Sequence, residues 1–73
     1  MSVLSGAVLS GTVTTWDDPR GIGEITADDG TVYGFHCTAI ADGSRQTEVG
    51  AEVHFVVRPA RLGRWEAAGI TPA

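Results

Sequence analysis

The residues of this chain able to do chemistry are few. All five basic residues are arginines (Arg20, Arg45, Arg58, Arg61 and Arg64), and three of them fall between positions 58 and 64. Trp16 and Trp65 supply broad ring faces, and His36 sits beside the single cysteine, Cys37. Arginines interleaved with aromatic rings suit a ligand that combines phosphates with stackable bases. On a strand, His36 and Cys37 would point to opposite faces, which disfavours a metal ion held by both. "DDP" (17–19) and "DDG" (28–30) lack the spaced ligands and terminal glutamate of a calcium loop. No nucleophile is matched with a base and an orienter, and no phosphate-cradling GxxxxGK occurs. The expectation is a binding module rather than an enzyme, with no metal and no small-molecule cofactor.

Length and composition narrow the setting. Seventy-three residues make one domain, and a hydrophobic share of 42% with a charged share of 19% is globular. The formal net charge of -4 argues against tight, charge-driven duplex binding. Single-strand binding is compatible with it, because stacking supplies much of that energy. No apolar run approaches the roughly 20 residues of a membrane helix, so no membrane partner is expected. The apolar start "MSVLSGAVLSG" carries no basic residue before Arg20, so it is read as mature protein, with residues 1–6 as a loose tail. A lone cysteine fits a reducing, cytoplasmic setting.

The elements that must position these residues are strands. "AVLSGTVTTW" (7–16), "IGEITA" (22–27), "TVYGFH" (31–36), "AEVHFVV" (51–57) and "RWEAAGIT" (64–71) carry β-type patterns. Turn signals separate them: "DDPRG" (17–21), "DDG" (28–30), a short 3₁₀ or loop segment from Cys37, and an arginine-rich loop over 58–63. Five short strands with short links predict a small closed barrel over 7–73. Alternation assigns the faces. Val13, Ile25, Tyr33, Phe35, Ile40, Val53, Phe55, Val57 and Ile70 point inward. Ile22, Glu24, Gly34 and His36 share the outer face of the central strands, because Glu24 cannot be buried unpaired.

With the faces assigned, the sequence resembles the bacterial cold-shock family, five-stranded OB-type barrels that bind single-stranded DNA and RNA. "GTVTTWDDPRGIGEI" (11–25) is similar, without a gap, to the family's "GxVKWFNxxKGFGFI". "YGFHCTAI" (33–40) is similar to "VFVHFSAI", while "EVGAEVHF" (48–55) and "AAGIT" (67–71) match later segments in register. The resemblance implies an all-β, five-stranded antiparallel OB barrel. It also marks what is missing. The family's stacking tryptophan falls on Thr15, and the ring beside it on Trp16. Its two central phenylalanines fall on Ile22 and Glu24, and those of the next motif on Gly34 and Cys37. Its basic residue and its histidine are kept as Arg20 and His36.

A base stacked on a ring contributes roughly 1–3 kcal/mol, so losing about four rings predicts weak binding with little sequence preference. The resemblance implies an RNA chaperone or a regulator of transcription or translation. Trp16 could be a stacking platform or a half-buried ring at the barrel edge. Ile22 and His36 are candidate base contacts. Arg20, Arg45, Arg61 and Arg64 are candidate phosphate contacts, with Trp65 as an added ring beside the 58–64 arginines. The alternative is a protein-interaction or homodimerising module that has lost its nucleic-acid face, using the patch of Ile22, Gly34 and Cys37.

Overall fold

The computed structural model describes residues 8–41 and 47–73. The tail read over 1–6, and Arg45, lie outside the described residues. Five strands form: β1 (Leu9–Asp17), β2 (Ile22–Ala27), β3 (Val32–His36), β4 (Glu52–Pro59) and β5 (Trp65–Pro72). They close into a barrel in the order β1-β2-β3-β5-β4. Among the five strands all pairings are antiparallel except β3 with β5, which meet in parallel at Gly34 and Glu66, and an isolated parallel bridge joins Ile40 to Ile70. Short 3₁₀ turns span Cys37–Ala39 and Arg61–Gly63. Arg58 and Pro59 extend β4 and do not belong to the loop expected over 58–63.

The interior is built from the inward positions of each strand. Val13, Ile25, Phe35, Ile40, Val53, Phe55, Val57 and Ile70 are buried as alternation predicts, and Ala27 and Ala67 join them. Tyr33 points inward but is only partly buried, its ring tilted against Phe55 with centroids 5.7 Å apart. Its polar hydroxyl favours that position near the rim over the centre.

β1 does not alternate throughout. Val13 pairs with Ile25 and Thr15 with Glu24, so Thr14 is an extra residue in the ladder. The Thr14 hydroxyl is satisfied by Thr26 Oγ1 at 3.0 Å. A one-residue bulge reverses the facing of everything after it. Trp16 is therefore carried to the interior side, where it pairs with Gly23 and lies flat on Phe35, with centroids 5.7 Å and planes 7° apart.

Gly23 makes that stack possible. A Cβ there would lie 2.5 Å from the Thr15 carbonyl oxygen and 2.9 Å from Phe35 Cζ. Both neighbours are packed, so Gly23→Ala is expected to cost about 1–3 kcal/mol in urea unfolding through overpacking. The "DDG" hairpin has its own lock. The Thr31 backbone N–H donates to Asp29 Oδ1 at 2.9 Å, and the hydrogen bonds from Thr31 hold the Asp29 carboxyl below the usual carboxylate range. Because the folded pKa is depressed, this contact stabilises above the unfolded carboxyl pKa and is lost as pH falls through the folded value. The melting temperatures of wild type and Asp29→Ala should therefore converge on acidification below the ordinary aspartate range.

Candidate nucleic-acid interface

The outward residues of the central strands line up in rows across the barrel. One row runs Thr15, Glu24, Gly34, Glu66, Arg58 through β1, β2, β3, β5 and β4. Another places Asp17, Ile22 and His36 side by side. The face predicted for Ile22, Glu24, Gly34 and His36 is thus formed, and all four are exposed.

A groove of about 470 Å³ crosses this face. It is lined by Thr15, Trp16, Ile22, Glu24, Gly34 and Phe35, with Asp17 and Gly23 completing it. It occupies the place where exposed rings would stand if Glu24 and Gly34 carried them. Gly34 leaves its part of the groove open, since a Cβ there would meet nothing closer than the Gly23 carbonyl oxygen at 3.9 Å. Trp16 is the half-buried ring at the barrel edge, one of its two expected roles, stacked on Phe35, and it also lines the groove.

His36 is oriented by the turn that follows it. The strand ends there, and the Thr38 N–H donates to His36 Nδ1 at 3.3 Å, with Thr38 Oγ1 3.1 Å from the same nitrogen. An Nδ1 that accepts must be unprotonated, which places the neutral ring's proton on Nε2 as a donor. The 3₁₀ segment expected from Cys37 forms, and it overturns the reading that His36 and Cys37 point to opposite faces: Cys37 Sγ lies 3.7 Å from His36 Nδ1. The thiol is half-buried near the backbone of Gly21, where a Cβ would come within 2.8 Å of Sγ. Gly21 takes φ of 66°, suited to glycine, and its carbonyl accepts from the Cys37 N–H at 2.7 Å. Cys37 is thus part of the joint between the β1–β2 turn and the 3₁₀ turn, and less of a flat patch with Ile22 and Gly34 than expected.

The arginines fall into separate groups. Arg20 lies at the Ile22 end, with Nε 3.5 Å from Asp17 Oδ2, an exposed pair of little energetic weight. Arg58 is committed to Glu66: Nε and Nη2 each approach Oε2 at 2.8 Å. Arg61 and Arg64 flank exposed Leu62 on the β4–β5 turn, and no carboxylate of the described residues lies within 4.0 Å of either. Leu62 holds φ of 60° and is 94% exposed, so the turn carries an apolar tip in a costly backbone conformation. Trp65 follows this turn, 45% exposed. Because Gly34 faces Glu66, Trp65 falls on the Tyr33 side of that pair, while Ile22 and His36 fall on the other.

The structure thus groups Trp16, Arg20, Ile22 and His36 at one end of β3, and Arg61, Arg64 and Trp65 at the other. Glu24 and Glu66 flank Gly34 between them. Sequence reading found Glu24 but missed Glu66, whose place beside the groove follows from the parallel β3–β5 closure and leaves no periodic signal.

Comparison with known proteins places this geometry. No family model matches the chain, and no curated protein does. Among solved structures the chain is similar to "drosophila Unr CSD456", a chain of cold-shock domains, with a TM-score of 0.76 and 27% identity. The match covers 94% of this chain and 28% of that chain, so the present chain spans under a third of the length of that relative. The barrel has the cold-shock OB fold.

Proposed function

We propose that this barrel binds single-stranded nucleic acid, weakly and through the β1–β3 face. The observation that carries the reading is the groove lined by Trp16, Ile22 and Gly34, on the outer face where the resemblance to the cold-shock family places its stacking rings. A base would stack on Trp16 with apolar contact at Ile22, and His36 Nε2 would donate to a base or phosphate oxygen. Arg20 would neutralise a phosphate at one end of the track. Arg61, Arg64 and Trp65 would hold the strand at the other, with Arg45 as a further contact from the preceding loop. Stacking is sequence-tolerant, so the contacts at Trp16 and Ile22 would themselves discriminate little among bases. A cytoplasmic RNA chaperone or a regulator of transcription or translation is the role this mechanism suits.

Titrating a labelled oligo-dT or U-rich RNA tests it. Saturable binding that weakens in Ile22→Ala and Arg20→Ala supports the face. Binding unchanged by both places the ligand elsewhere.

A second reading has its own observation. Glu24, beside Gly34, repels phosphate, while Glu66 on its other side is held by Arg58 and Ile22 remains 42% exposed nearby. Such a face would suit a homodimer or another protein partner. Sedimentation separates the readings: a stable dimer that Ile22→Arg makes monomeric favours the second.

A further inference from the structure

The groove has a chemical bias. Two carboxylates line it, Asp17 and Glu24, and no basic side chain does. Asp17 is already engaged, accepting from the Arg20 N–H at 3.4 Å and facing the Arg20 guanidinium. Glu24 is different. Its Oε1 accepts from the Thr15 hydroxyl at 3.3 Å, which steadies the carboxylate without using up its acceptor capacity. Opposite it, Gly34 leaves open space. A planar group laid against Ile22 would therefore bring its edge to a positioned carboxylate.

We propose that Glu24 selects guanine among the bases that enter this groove. The inference rests on the single-strand reading above. A carboxylate is acceptor-only and is best matched by two adjacent N–H donors. Guanine offers that pair on its Watson–Crick edge, from N1 and the exocyclic N2. Thymine and uracil offer one N–H between two carbonyl oxygens, which the carboxylate repels. Adenine and cytosine offer one amino group beside a ring acceptor. The residue that stands where a neutral stacking ring would be thus turns a sequence-tolerant position into a discriminating one. The same charge that weakens the contact with phosphates strengthens the contact with this base edge.

Fluorescence anisotropy at neutral pH tests this with three labelled strands of about seven nucleotides, within one barrel's site size. One is oligo-dT, one carries guanine at two separated inner positions, and one carries inosine there, which lacks N2. The guanine strand should bind about tenfold or more tighter than oligo-dT, the discrimination expected of one paired edge contact. Inosine should lose most of that gain. In Glu24→Gln, which keeps the shape but replaces one acceptor with a donor, guanine and thymine strands should bind within about twofold of each other. Equal binding of all three strands to wild type, or a guanine preference that survives Glu24→Gln, overturns the inference and leaves single-strand binding standing. No binding of any strand removes both.

Discussion

Replacing Glu24 with phenylalanine should tighten oligo-dT binding by roughly five- to hundredfold. The change acts twice. It adds a ring at a position exposed on the outer face, where one base–aromatic stack contributes about 1–3 kcal/mol. It also removes a carboxylate from the face proposed to approach phosphates. Little should oppose it: among the described residues Glu24 makes one long side-chain hydrogen bond, to Thr15, and its cross-strand neighbour Gly34 leaves room for a ring. Isothermal titration against wild type reads the gain directly. An affinity unchanged or lowered in a folded Glu24→Phe would place the ligand track away from this face.

The largest stability effect should come from Phe35→Ala, at about 3–5 kcal/mol by urea unfolding. Phe35 is 5% exposed and carries the stacked Trp16, while Gly23 gives up its side chain to make room for the ring. Removing the ring leaves a cavity and strips Trp16 of its support. A chain of this length has a total stability of only about 4–11 kcal/mol, so the variant should be partly unfolded near physiological temperature. The emission of Trp16 should also shift toward that of a solvated indole. A cost near 1 kcal/mol would mean that Trp16 and the barrel end collapse onto the vacated space.

These effects depend on features that the sequence shows unevenly. The strand cores were legible because period-2 alternation and turn residues leave a direct trace: Val53, Phe55 and Val57 in β4, or the "DDG" hairpin, have few other solutions. The outward set of Ile22, Glu24, Gly34 and His36 followed from the cost of burying Glu24. The bulge at Thr14 was not legible, since an extra residue in one strand is defined only against its partner. Yet it decides the facing of Trp16. The turn at Cys37 was legible, but strand alternation does not extend across it, so Cys37 and His36 come together instead of facing apart. Ala27 and Ala67 complete the core through their small size, a matter of barrel geometry. Glu66 joined the candidate face only through a parallel closure between strands far apart in sequence.

On the reading proposed above, this face binds a single strand despite its missing rings. The most direct test is titration of the wild-type chain with oligo-dT at about 50 and about 200 mM salt. Binding should be saturable at micromolar concentrations; if Arg20, Arg61 and Arg64 each neutralise one phosphate, the logarithmic salt slope should be near -2 and binding should weaken about 15-fold across that range. No binding at high micromolar oligonucleotide in the lower salt would contradict the account, and would leave the groove of Trp16, Ile22 and Glu24 to a protein partner.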